Sequence, residues 1–403
     1  MNRRSFLSGF SALPLIGAMS SNADEMKKNN KSAILLWMGG GPSTMDIWDL
    51  KPKAPTGGPF RPISTTGDVQ ICEHMPEMAK QMHNMAVVRS MSTREADHMR
   101  GRYYMHTGYV PNPSIEHPSY GAVLANQLDR DSLEIPQFVS IGGGSVGAGF
   151  LGAQYNPFGV NSDGRIRNLD MKVDERLLQR AYALDVIESN FINQKRGSLA
   201  KDHQSVLKQT FNLLTSEQME AFKVAGEPEA VKERYGDNGF GKGCLMARRL
   251  VEVGVPFIEV NLGGWDNHQN IHPTLKDNKL PMLDKGMSAL VEDLEQRGLL
   301  EDTAIIWMGE FSRTPRINGN AGRDHWARSW SIVVGGAGMN GGIAVGATND
   351  DGTKVITDPY SSQDVMASVC KALGIPLSTT FTSNSGRPMK IANSGKIIKE
   401  LFV

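Results

Sequence analysis

The chain is poor in cysteine. Among 403 residues only Cys72, Cys244 and Cys370 occur, an odd number with no C-x-x-C spacing. That excludes a disulfide framework and a thiolate zinc finger, and leaves each thiol as a small buried hydrophobe. Net charge is missing too, since 43 lysines and arginines balance 43 aspartates and glutamates. Neither a nucleic-acid footprint nor a polybasic membrane patch is expected. Beyond the N-terminal segment no apolar run approaches the roughly 18 residues of a membrane-spanning helix, so the mature chain should carry no stable span. The first glycine-rich turn lacks the Gly-Lys-Ser/Thr of a P-loop and is not G-x-G-x-x-G, so it is neither a nucleotide nor a dinucleotide fingerprint. No internal repeat or long low-complexity linker divides the chain.

What remains is ordinary globular composition, 40% hydrophobic and 21% charged, with 21 methionines that serve mostly as core filler. Asn2-Arg3-Arg4-Ser5-Phe6-Leu7 is a twin-arginine pattern. It is followed by a weakly apolar run to Met19 and by small residues, Ser21-Asn22-Ala23, suited to cleavage. Residues 1–31 therefore read as a signal peptide and linker. The expected partner is the twin-arginine translocase, and the expected location is the periplasm or beyond.

The order of elements is strand, helix, strand. Short apolar runs at 32–38, 86–89, 137–141, 256–262, 304–308 and 331–335 read as buried strands. Periodic segments at 74–85, 120–129, 241–253, 280–297 and 364–373 read as helices, as does a segment ending near Gly108. A strand-poor helical insertion occupies about 168–235. This alternation specifies an α/β fold, a mostly parallel sheet covered on both faces, as one domain over 32–403. The strand at 33–38 is apolar on both faces and should lie centrally in the sheet.

Polar groups recur where strands end. Gly39-Gly40-Gly41-Pro42-Ser43 and Asp46 follow the first strand, and His98 follows the second. Asp266 and His268 follow a later strand, Glu310 the next, and Asp324-His325 close the loop beyond. Strand C-termini of an open parallel sheet face one crevice, so these residues can converge. Carboxylates and imidazoles suit a divalent ion such as zinc, manganese or iron, with one ion or two left open. Arg313, Arg316 and Arg323 lie in the same loop, where guanidinium groups can hold phosphate or sulfate. His106, lone on a helix, reads as structural.

The blocks LLWMGGGPSTMDIWDLKP, READHMRGRYYMHTG, ARRLVEVGVPF, GGWDNHQN and MGEFSRTPRINGNAGRDHW resemble a large family of twin-arginine-exported bacterial proteins. That family, catalogued as a domain of unknown function and sulfatase-like, is placed in the alkaline phosphatase and sulfatase superfamily. The resemblance covers almost all of the mature chain. It implies an alkaline-phosphatase-like three-layer α/β/α sandwich with a metal site at the strand ends. Where the superfamily has Asp after the first strand, Gly39 to Gly41 stand here, with Asp46 further on. Its D-x-x-x-H becomes Asp266-x-His268, its next Asp-His becomes Gly309-Glu310, and Asp324-His325 resembles its late histidine ligand. Neither Ser92 nor Thr93 falls at the nucleophile position, where His98 stands, and the C-x-P-S/A-R of sulfatases is absent.

Two functions follow as expectations. The first is an exported metal-dependent hydrolase of phosphate or sulfate esters, small molecules or polysaccharides. Asp46, Asp266, His268, Asp324 and His325 would be ligands, and His98 and Glu310 catalytic groups. Ser43, Arg313 and Arg323 would hold the substrate. The second is a non-catalytic exported binding protein that keeps the fold.

Overall fold

The computed structural model describes residues 31–130, 132–166, 175–193 and 199–402. The twin-arginine segment lies outside them.

The sheet is built from β1 (Ser32–Trp37), β2 (Met85–Met91), β3 (Phe138–Ile141), β4 (Phe158–Val160), β5 (Phe257–Asn261), β6 (Thr303–Met308), β9 (Trp330–Gly335) and β10 (Ala344–Val345). A separate two-stranded ribbon, β7 (Ser312–Arg313) and β8 (His325–Trp326), stands between β6 and β9 in the chain. In space the eight strands run β10-β2-β9-β6-β1-β5-β3-β4. β1 pairs in parallel with β6 on one side and with β5 on the other. The first strand is thus central, as its apolar character predicts. β9 runs antiparallel to both β2 and β6, which the sequence did not reveal.

Alternation along β1 makes two cores. Ile34, Leu36 and Met38 face one cluster, and Ala33, Leu35 and Trp37 face the other. The first is covered by α1 (Thr44–Ile47), α2 (Pro76–Gln81), α8 (Gly239–Glu252) and α9 (Leu280–Gln296). The second is covered by α3 (His98–Thr107), α4 (Tyr120–Gln127) and α10 (Ser362–Ala372). The result is the expected three-layer α/β/α sandwich. Each fully buried aliphatic or aromatic side chain contributes about 1.5–3 kcal/mol relative to exposure, so both faces anchor β1.

The expected helical insertion carries α5 (Glu175–Asn193), α6 (Leu199–Thr215) and α7 (Glu229–Tyr235). Among the described residues no helix is long and apolar enough to cross a membrane. All three cysteines are free and buried, as expected.

Local chemistry fixes the ends that matter for the site. Asp97 caps α3, its carboxylate accepting from Arg100 N at 3.0 Å. This sets His98 as the first helical residue. Gly108 ends the same helix at φ 73°, where a Cβ would lie 2.1 Å from the Tyr120 hydroxyl. Only glycine fits there.

Candidate metal centre

The loops that follow β1, β2, β5 and β6 meet above the C-terminal ends of these strands, held by buried side chains and by close glycine contacts. Trp265 is fully buried and donates to Leu262 O at 2.8 Å, which fixes the neighbouring Asp266. Phe311, also fully buried, fixes Glu310. Gly40 lies so close to the Asp266 loop that a Cβ would sit 2.6 Å from Asp266 N. Gly322 approaches His268 so closely that its Cβ would meet the His268 carbonyl at 2.1 Å. β7 and β8 pair His325 with Arg313 in register.

These constraints bring His98, Asp266, His268, Glu310, Arg313, Asp324 and His325 together, as expected. Each imidazole is held at Nδ1. Nδ1 of His98 lies 2.6 Å from Glu310 Oε1, that of His268 lies 2.7 Å from Asp324 Oδ1, and that of His325 lies 2.8 Å from Ala96 O. All three partners are acceptors, so each Nδ1 carries the proton. Each Nε2 then turns toward one carboxylate oxygen. Asp266 Oδ1 lies 3.4 Å from His98 Nε2, 3.0 Å from His268 Nε2 and 3.3 Å from His325 Nε2. Nε2 of His268 and of His325 face each other at 3.2 Å. His98 Nε2 and Glu310 Oε2 are shielded from solvent and have no hydrogen-bond partner.

Electrostatics follow from this packing. Burial would raise the Asp266 carboxyl, but Arg313, His98 and His325 outweigh it and hold it down at about 2. The hydrogen bond to Glu310 raises His98. The hydrogen bond from His268 lowers Asp324. The side chains of His98, Asp266, His268 and His325 are 27–46% exposed, so the cluster opens to solvent on one side.

The donor set fits a divalent ion. Three imidazole nitrogens with lone pairs and one carboxylate converge, and outer acceptors orient the rings as at carboxylate–histidine–metal sites. His98, Asp266 and His325 alone already form a group spaced to hold an ion.

Three residues expected in this group stand behind it. Asp46 is buried and accepts from Arg323 Nε at 2.8 Å and Arg323 Nη2 at 2.9 Å, from Ser43 Oγ at 2.6 Å, and lies 3.2 Å from His272 Nε2. Burial pushes its carboxyl up, yet His272 and Arg323 hold it at about 2. Arg323 is fully buried, and its remaining donors reach the carbonyls of Thr314, Pro315 and Thr56. Its guanidinium has no donor left for an anion, and Ser43 already donates to Asp46. This trio anchors the 314–326 loop instead of facing substrate. Arg313 is likewise buried. It donates to Gly41 O at 2.7 Å, to Gly40 O, and to Asp266 Oδ1 at 2.6 Å. It braces a candidate ligand, where the sequence suggested an anion clamp. Arg316 of the same loop is exposed.

Sequence reasoning missed that Glu310 and Asp324 meet the outer nitrogens of His98 and His268. It also missed that the Ala96 carbonyl and the Gly40 amide, 2.9 Å from Glu310 Oε1, complete the support. Backbone partners leave no side-chain signal. His106 is structural as read, buried against Trp37 with Nδ1 2.9 Å from Arg102 O.

The sandwich and the cluster at its strand ends are thus described, and sequence comparison identifies the family. The chain belongs to the family described as protein of unknown function (DUF1501), which matches residues 30–402. No curated protein matches it. Among solved structures it is similar to the PsFucS1 sulfatase from Pseudoalteromonas sp., at 14% identity over 90% of this chain and 71% of that one, TM-score 0.40. It is also similar to alkaline phosphatase from the Antarctic bacterium TAB5, at 12% identity over 86% and 98%, TM-score 0.39. A third is the lipoteichoic acid synthase LtaP from Listeria monocytogenes, at 10% identity over 89% and 76%, TM-score 0.37.

Proposed function

We propose that the protein is an exported, metal-dependent hydrolase of phosphate or sulfate esters. The observation that carries this reading is the convergence of three imidazole Nε2 atoms on Asp266 Oδ1 at 3.0–3.4 Å, in a cluster open to solvent. His98, His268, His325 and Asp266 would hold the ion. A divalent ion there supplies a lowered pKa for water and neutralises charge on ester oxygens.

The protein's own groups do the positioning. Glu310, Asp324 and the Ala96 carbonyl hold protons on the three Nδ1 atoms, so each Nε2 presents its lone pair inward. Arg313 fixes Asp266 and ties it to the Gly40-Gly41 turn. His98 changes role from the nucleophile expected above, because its Nε2 faces the same carboxylate as the other two rings. Glu310, expected as a catalytic group, takes a positioning role instead, because one oxygen already holds His98 and the Gly40 amide.

His325→Ala should remove most turnover of aryl phosphate and aryl sulfate esters, with a loss of at least about 100-fold, and should lower metal content with it. Ester turnover retained in a metal-depleted His325→Ala protein would refute the metal dependence, and absence of turnover of any ester by the metal-loaded wild-type chain would refute the hydrolase reading. The alternative, a non-catalytic exported binding protein, is favoured by one observation. An imidazole, His98, and not a serine or threonine hydroxyl stands among the converging groups.

A further inference from the structure

We infer that the buried pair His106–Glu259 sets the seat of α3, and through it the place of His98, so that both are positioning residues of the cluster. The inference rests on the metal-site reading above, but its residues lie outside the cluster. Glu259 stands in the middle of β5, in register with Leu35 of β1 and Ser140 of β3, and is fully buried. Among the described residues it is the only carboxylate on any of the eight strands. Burying a carboxylate costs free energy that an apolar side chain of similar size would not. Stability therefore does not account for the pair, whereas fixing one arrangement of the elements around it does.

Its contacts show what it joins. Glu259 Oε2 lies 3.3 Å from His106 Nε2 and accepts from Ser145, in the loop after β3. His106 Nδ1 donates to Arg102 O at 2.9 Å, one turn back on α3. Nε2 and Oε2 then attract only through a second proton held between them, on whichever atom it sits. Oε1 is shielded and has no partner, so Oε2 carries all the hydrogen bonding of this carboxylate. The imidazole also packs on Trp37, ring centroids 4.1 Å apart. Three elements that build the cluster meet here. α3 begins with His98, β1 passes through Trp37 to the Gly40 amide that holds Glu310, and β5 leads into the Asp266 loop.

Few other contacts index α3. Met105 is the only apolar side chain it buries completely. Gly101 lies flat against the Glu310-Phe311 backbone and ring, where a Cβ would come 3.1 Å from Phe311 Cδ1. A smooth glycine contact and one methionine hold the helix down without fixing its slide or rotation. A hydrogen bond is directional and does fix them. His98 stands eight residues, about 12 Å, from His106 along the same rigid helix. A slip at the pair therefore moves His98 Nε2 away from the other donors.

The test uses the full chain with the double substitution His106→Phe and Glu259→Leu, read by zinc affinity, by the melting temperature of the metal-free chain and by amide hydrogen exchange along α3. Replacing a buried pair by apolar groups leaves stability equal or higher, so the melting temperature should not fall. Zinc should nevertheless bind about 10-fold more weakly, as when an outer partner of a ligand is lost. The α3 amides should exchange about 10-fold faster in the metal-free chain, with those of α4 and α10 unchanged. Glu259→Gln should keep zinc affinity within about threefold, because an amide nitrogen in place of Oε2 can donate to both His106 and Ser145. Zinc affinity within about threefold of wild type in the double variant would overturn the inference. So would a variant that fails to fold, or a loss of affinity that follows a lowered melting temperature, since the pair would then be merely structural. A wild-type chain that binds no zinc would remove the metal-site reading alone, and α3 exchange would then decide, unchanged rates overturning the inference and faster rates upholding the seat of α3.

Discussion

Each histidine of the cluster is fixed by what holds its outer nitrogen, and that decides which atom faces the site. The same logic separates Arg313 and Arg323, two of the loop's three arginines, from an anion-binding role. Arg323 and Asp46 form a buried bidentate pair across 277 positions of sequence. Such a pair is costly to break because the partner is left charged and unsolvated. Arg323→Met should therefore lower unfolding stability by roughly 3–5 kcal/mol in denaturant titration, and adding Asp46→Leu should restore part of it. A change under about 1 kcal/mol would show that the pair is not the anchor argued here. At this scale the sequence is least informative. Asp46 and Ser43 follow a glycine-rich strand end, where ligands are expected, and nothing local reveals a guanidinium 277 residues away. His98, Asp266 and His325 were legible because strand ends share one crevice. Whether Asp324 meets a metal or an imidazole Nδ1 depends on ring orientation, which only the packed loops set.

Between elements, a second buried carboxylate carries a pH signature. Asp284 on α9 accepts from the free amides at the start of α2, Met78 N at 2.7 Å and Glu77 N at 3.2 Å. It is 5% exposed, and burial pushes it up to about 6 although the two amides pull it back. Its folded pKa thus lies above the unfolded value of about 3.8. As pH rises the unfolded chain loses this proton first, so the group's contribution is full below about pH 4 and declines until about pH 6. The loss is roughly 3 kcal/mol. Wild-type stability measured against Asp284→Asn should fall across that window and run parallel to it on either side. A flat difference would contradict the buried, uncompensated carboxyl. Elements themselves were largely legible. The runs at 33–38 and 304–308 are too apolar for anything but buried strands, and they pair as β1 and β6. The direction of β9 was not, since an apolar run has no polarity and its antiparallel pairing is a tertiary choice.

For the whole molecule, the proposal joins export to metal loading. The twin-arginine route carries folded proteins, so the ion would be acquired before export. Replacing Arg3 and Arg4 together by Lys should leave the precursor in the cytoplasm in fractionation experiments. Normal accumulation outside the membrane would remove the twin-arginine assignment. The central claim is that His98, His268, His325 and Asp266 hold an ion in the working protein. The most direct measurement is an anomalous difference map from crystals of the natively exported chain, collected across transition-metal absorption edges. A single peak within about 2.0–2.2 Å of all three Nε2 atoms and an Asp266 oxygen is predicted. An empty cluster, or a peak at Asp46, would contradict the account.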